Sequence, residues 1–113
     1  MKIKIKPINY HLYILECRNG TLYTGIAIDV AKRFAMHCSG KGAKYTRMHP
    51  PIRIVQSWNT GGGRGHALKI ENHVKRLGRT QKLKLIAKPK LLSKILKQIC
   101  AGQAPSLTRL SRP

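Results

Sequence analysis

The stretch His11-Leu12-Tyr13-Ile14-Leu15-Glu16-Cys17-Arg18-Asn19-Gly20-Thr21-Leu22-Tyr23-Thr24-Gly25-Ile26-Ala27 decides how the rest of the chain is arranged. Two apolar, tyrosine-bearing runs flank Asn19-Gly20, a pair that tolerates positive φ. Tyr10 to Cys17 and Thr21 to Ala27 therefore read as the strands of a β-hairpin. The length of its loop has consequences. A two-residue loop pairs Arg18 with Thr21 and puts Tyr13 and Tyr23 on opposite sheet faces. A three-residue loop, with Gly20 forming a bulge, puts both on one face. The bulged form is predicted, because a site shared by the two tyrosines requires it.

C-terminal to the hairpin, Asp29 stands where an N-cap belongs, ahead of a helix Val30-Ala31-Lys32-Arg33-Phe34-Ala35-Met36-His37. Val30, Phe34 and His37 share one face, with Arg33 at its margin. Core packing gives no reason for two cation-capable side chains one turn apart beside an apolar stripe. Ser39 to Pro51 reads as a loop carrying Lys41, Lys44, Tyr45, Arg47 and His49. Its glycines permit close backbone approach, its cations suit phosphate oxygens, and Tyr45 offers a face to a base. A solvated surface loop is the plainer alternative. Ile52 to Trp58 is a third strand by its β-branched content. Asn59 to Gly65 is a glycine-rich connector that matches no phosphate-binding fingerprint.

His66 to Leu77 reads as a helix with Ala67, Ile70, Val74 and Leu77 on one face and Glu71 at its border. The chain has three acids. Asp29 is explained as a cap and Glu16 as an outward strand residue, which leaves Glu71 as the credible metal ligand. An i,i+4 pair with Lys75 is its structural alternative. Thr80 caps a short helix through Ile86, Lys88-Pro89 breaks it, and a last helix carries Leu91, Leu92, Ile95, Leu96 and Ile99 at helical spacing. Lys90, Lys94 and Lys97 line that helix's other side, and Gly102 closes it. The expected organisation is a basic arm (1–9), one domain (10–88), a basic amphipathic helix (89–101) and a flexible tail (102–113).

Composition narrows the partners. There are 113 residues, with 23 Lys and Arg against 3 Asp and Glu, a formal net charge of +20. Self-repulsion on that scale calls for a polyanion, and nucleic acid is the first choice. Cys17, Cys38 and Cys100 are too few and too scattered for a disulfide framework or a zinc knuckle, and suit reduced thiols. The N-terminus alternates lysine and isoleucine without an apolar core, and no run reaches membrane-spanning length. A cytoplasmic bacterial protein is expected, with no membrane partner.

Taken in order over residues 10–87, these features resemble the GIY-YIG endonuclease superfamily, specifically its small stand-alone bacterial branch. The resemblance rests on Leu12-Tyr13-Ile14-Leu15, Leu22-Tyr23-Thr24-Gly25, Asp29-Val30 with Lys32-Arg33, His37, and Ser39-Gly40-Lys41-Gly42-Ala43-Lys44-Tyr45-Thr46-Arg47. Ala67-Leu68 with Glu71 and Lys75-Arg76-Leu77 completes it. His11 and Leu12 replace the glycine and isoleucine of the first motif, and Thr24 replaces the isoleucine of the second. Both tyrosines and the second glycine remain.

The resemblance implies an α/β (α+β) fold, a small three-stranded antiparallel sheet flanked by helices, with an added C-terminal helix. It implies a catalytic set of Tyr13, Tyr23, Arg33, His37 and Glu71. Glu71 would hold one divalent ion, Mg²⁺ or Mn²⁺, which prefers oxygen and keeps waters. Arg33 would neutralise the scissile phosphate. The tyrosines would activate or orient the attacking water with His37 as a base or relay, and which of the three is the base stays open. The expected activity is divalent-metal-dependent hydrolysis of DNA phosphodiester bonds. It leans to single-stranded or locally unpaired DNA because the domain is small, with no obvious recognition helix for a major groove, and Tyr45 and Trp58 could stack bases. Expected nucleic-acid contacts are Lys41, Lys44, Tyr45, Arg47, Lys75, Arg76, Lys90, Lys94 and Lys97. A non-catalytic nucleic-acid-binding module on the same fold is the alternative.

Overall fold

A computed structural model describes residues 8–100, with no side-chain detail for 98–100. The basic arm expected at 1–9 thus falls almost wholly outside the described residues, and so do Gly102 and the tail. The elements are β1 (His11–Cys17), β2 (Leu22–Ala27), α1 (Val30–Cys38), α2 (Lys44–Met48), β3 (Pro51–Asn59), α3 (Arg64–Lys75), α4 (Arg79–Ala87) and α5 (Leu91–Cys100). The three strands form one antiparallel sheet in the order β2-β1-β3. The expected three-stranded sheet flanked by helices is what forms.

β1 lies at the centre and is buried on both faces. On one face Leu12 and Ile14 join Ile70 and Val74 of α3, Leu85 of α4 and Leu92 of α5 in the core. On the other, by strand alternation, stand Tyr13, Leu15 and Cys17. The hairpin takes the bulged form. Cys17 N donates to Thr21 O at 2.9 Å and Gly20 N to Cys17 O at 2.8 Å, with Gly20 at φ +83°. The loop is thus Arg18-Asn19-Gly20. Tyr13 pairs with Gly25 and Tyr23 with Leu15, so the two tyrosines share a face.

Several boundaries differ from the sequence reading. The segment 39–51 is not all loop: Lys44–Met48 forms the single-turn helix α2. Five residues are too few to display a helical period, so nothing in the pattern announces it. β3 begins at Pro51, which opposes Cys17; proline is tolerated at a strand's first residue. α3 starts at Arg64 and stops at Lys75, because the glycines around its N-terminus mask the start of periodicity. The N-cap of α4 is Gly78, not Thr80, and Gln81 Oε1 accepts the Gly78 amide at 3.4 Å. Asp29 does cap α1, its Oδ1 accepting Lys32 N at 3.0 Å. Among the described residues no helix is long and apolar enough to cross a membrane.

Candidate active site

The face of the sheet that carries Tyr13 and Tyr23 is where the chemistry-bearing side chains converge. Tyr13 is 1% exposed, and its ring lies 6.5 Å from that of Tyr23 and 5.9 Å from His37, centroid to centroid. Gly25, opposite Tyr13 in the register, makes this possible. A Cβ there would stand 2.6 Å from Tyr13 Cζ, so the tyrosine occupies the space a side chain would need.

α1, started by the Asp29 cap, delivers Arg33 and His37 to this face. His37 is also 1% exposed, and both its ring nitrogens are engaged. Nε2 lies 2.9 Å from Tyr13 Oη and Nδ1 lies 2.7 Å from Thr46 Oγ1, while Thr46 Oγ1 donates to Ala43 O at 2.9 Å. With its one proton committed to Ala43, Thr46 accepts from His37 Nδ1–H. Nε2 is then the lone-pair nitrogen, and Tyr13 donates to it. Thr46 is fully buried on α2 and was not anticipated from the sequence. Gly42 serves this arrangement: a Cβ on it would fall inside contact distance of His37 Nδ1 and 2.8 Å from Cγ. The close backbone approach expected of the glycine loop is an approach to His37.

Tyr23 is half-buried and makes no side-chain hydrogen bond among the described residues. Its ring meets His37 edge-on at 5.3 Å and is stacked on Tyr45 at 6.0 Å with 16° between planes. Three rings therefore fix Tyr23 while its hydroxyl keeps no protein partner. Tyr45 sits differently from the sequence expectation. One face lies against Tyr23, His49 tilts against it at 4.9 Å, and its hydroxyl contacts Thr21 Oγ1. Trp58 is partly buried and packs against the core, with Nε1 donating to Pro89 O at 3.0 Å. Tyr45 remains exposed with one face taken by Tyr23, and Trp58 has its indole N–H committed to Pro89, so each already has a partner within the fold.

Glu71 reaches the site from α3, which runs against β2. It is 8% exposed, and its Oε2 lies 3.5 Å from Lys75 Nζ, so the i,i+4 pair exists as well. Electrostatics tie the five residues together. Burial pushes the Tyr13 hydroxyl up to about 12; the Arg33 guanidinium beside it pulls the other way, and Tyr23 and Glu71 add to the rise. Tyr23 is raised by burial and then by Glu71, with Arg33 opposing. Burial and then Arg33 hold His37 down at about 4. Both tyrosines thus keep their protons at neutral pH in the free protein, and His37 is neutral.

The donor set fits a hard divalent ion. Among the described residues no three His, Cys, Asp or Glu side chains converge, so a closed protein cage is absent there. A single carboxylate, 8% exposed and paired with Lys75, is the kind of oxygen donor that suits Mg²⁺ or Mn²⁺, which complete their shells with water and substrate oxygens. Of the expected nucleic-acid contacts, Lys41, Lys44 and Arg47 are exposed around α2, Lys75 and Arg76 at the end of α3, and Lys90, Lys94 and Lys97 along α5. The last three stand at the start of α5 and along it, the helix that packs against α3 through the core.

The α+β domain thus brings two hairpin tyrosines, a helical Arg and His, and one carboxylate into one neighbourhood. The chain belongs to the GIY-YIG catalytic domain family, which it matches over residues 9–84. Its relatives are bacterial. A UPF0213 protein of Cupriavidus necator is 52% identical over 73 residues, covering 65% of this chain and 78% of that protein. A UPF0213 protein of Halalkalibacterium halodurans is 44% identical over 80 residues, covering 71% and 84%. The solution NMR structure of a UPF0213 protein from Bacillus halodurans has 44% sequence identity and a TM-score of 0.45, covering 70% of this chain and 83% of that one.

Proposed function

We propose that this chain is a divalent-metal-dependent endonuclease that hydrolyses DNA phosphodiester bonds in the bacterial cytoplasm. The observation that supports it most is the convergence of Tyr13, Tyr23, Arg33, His37 and Glu71 from four separate elements. A passive binder has no use for a buried carboxylate beside two tyrosines and a neutral histidine.

Each residue has a part that its geometry suits. Tyr23, held by three rings with its hydroxyl free, first gives its own proton to solvent; as the phenolate it orients the attacking water and takes a proton from it as the water oxygen adds to phosphorus. Tyr13 and His37 form a buried hydrogen-bonded backing that holds the tyrosine face rigid, with Thr46 setting the histidine tautomer. Arg33 neutralises phosphoryl charge and favours the phenolate of Tyr23. Glu71 would hold the ion, which when bound would supply Lewis-acid stabilisation of the leaving alkoxide. One P–O ester bond breaks, and solvent protonates the departing oxygen. Lys75 must release Glu71 for this, which a 3.5 Å pair with a half-exposed lysine permits.

The lean toward single-stranded DNA gains no support from the aromatic residues, since one face of Tyr45 is stacked on Tyr23 and Trp58 is partly buried against the core. The proposal therefore concerns phosphodiester hydrolysis, with the preferred DNA form to be read from the assay. One labelled oligonucleotide, offered single-stranded, duplexed and branched with Mg²⁺, Mn²⁺ or EDTA, tests it. Metal-dependent cutting is expected, and Glu71→Gln should abolish it while binding persists. Cutting that survives Glu71→Gln, or binding without product under either metal, would overturn the proposal, the latter in favour of a binding module.

A further inference from the structure

Beside the tyrosine site lies a groove of about 210 Å³ between the hairpin loop and α4, lined by Thr21, Leu22, Arg79 and Lys82. Among the described residues its cations have no carboxylate to pair with. The chain has three acidic side chains. Glu16 is bound to Arg53 at 2.6 Å, Glu71 faces Lys75, and Asp29 caps α1. Arg79 spends one guanidinium nitrogen on Gly20 O at 2.8 Å, which fixes its fork over the hairpin loop. Lys82 is half-buried; burial, and then Lys75, hold its ammonium below the ordinary lysine range. Burying an ammonium next to another cation costs free energy unless an anion completes the cluster.

The groove is joined to the reactive residues through two contacts. Thr21, on its wall, contacts the Tyr45 hydroxyl, and Tyr45 is stacked on Tyr23. Lys75, the neighbour of Lys82, holds Glu71. An anion in the groove would therefore lie one residue layer from the tyrosine face.

We infer that this groove seats a backbone phosphate of the substrate strand next to the one that is cut, with Arg79 and Lys82 as its ligands. The inference rests on the nuclease reading for its substrate. It adds a binding element on α4 that fixes the strand's path across the site. Arg79 serves twice, as hairpin brace and as phosphate ligand, so Lys82 is the residue to test.

The experiment measures binding of a fluorescein-labelled single-stranded oligonucleotide in the Glu71→Gln background across a salt series. Lys82→Gln should lower affinity about tenfold at low salt and reduce the slope of log K against log salt by about 0.7. Lys82→Arg should restore both. Lys69→Gln, an exposed lysine on α3, is the charge-matched control. Equal losses in Lys69→Gln and Lys82→Gln would mean general charge and overturn the groove, as would an unchanged slope in Lys82→Gln. A second readout follows the Lys82 side-chain NMR signals with the oligonucleotide and, separately, with inorganic phosphate alone. Titration of the Lys82 ammonium should move upward with the oligonucleotide at far lower concentration than with phosphate. An equal response to inorganic phosphate at the same concentration, or a response to phosphate and none to the oligonucleotide, would assign the groove to a free anion and overturn the strand reading. Cleavage by the parent protein is scored separately, so a failed groove with intact cutting is distinguishable from a failed nuclease. An absence of any oligonucleotide binding would sink both.

Discussion

Gly42 and Gly25 show how small residues position large ones. Each lies where a reactive ring fills the volume of a missing side chain, Tyr13 over Gly25 and His37 over Gly42. The Gly42 contact is the tighter. Its neighbours include the His37 backbone, with Cα 2.9 Å from the added Cβ, so the histidine cannot simply rotate away. Gly42→Ala should push the ring off Thr46 and Tyr13 and cost about 1–3 kcal/mol by overpacking. Urea unfolding measures that loss, and the cleavage rate should fall with it. Unchanged stability would mean that the 40–43 backbone gives way freely and His37 is not clamped.

At the scale of elements, the site depends on short pieces held by others. α2 has one turn and no apolar stripe, yet it supplies Thr46 to His37 and Tyr45 to Tyr23. α5 lies beyond the residues matched by the family, 9–84, and still contributes Leu92 at 2% exposure to the core formed with Leu12, Ile14, Ile70 and Val74. It is part of the packed unit. Leu92→Ala is expected to cost about 2–5 kcal/mol, the range for emptying a well-packed leucine site. Denaturant unfolding should show one transition shifted to lower midpoint with an unchanged slope. A two-step transition, with α5 melting alone, would show that the helix is only an appendage.

For the molecule as a whole, the +20 charge and the buried histidines set its response to solution conditions. The unfolded reference for His37 is 6.5 and its folded value is about 4. Between those values the unfolded chain binds a proton at this position and the folded chain does not. Stability is therefore complete above about pH 6.5 and declines as pH falls toward 4, by about 3 kcal/mol over the full shift. His73, lowered by burial and by Arg76, acts in the same direction. Thermal melts between pH 7 and 4 should show this loss (at constant ionic strength, so that repulsion is screened equally). Replacing His37 by Gln should flatten part of the slope. A melting temperature independent of pH in that window would mean that His37 is not buried neutral.

Much of this was legible in the chain itself. Period-two runs around Asn19-Gly20 marked the hairpin, and the parity of Tyr13 and Tyr23 required the bulge that Gly20 supplies. Asp29 marked the start of α1, and with three acids in the chain, elimination led to Glu71. These are local facts: backbone preference, periodicity and count. What the tertiary structure alone decided was which rings touch. The Tyr13–His37–Thr46 chain, the stacking of Tyr45 on Tyr23, the seat of Trp58 against the core, and the meeting of Arg79 with the hairpin loop join residues far apart in sequence. No local pattern encodes such contacts, because they follow from how helices dock on a sheet whose position is set only when the core closes.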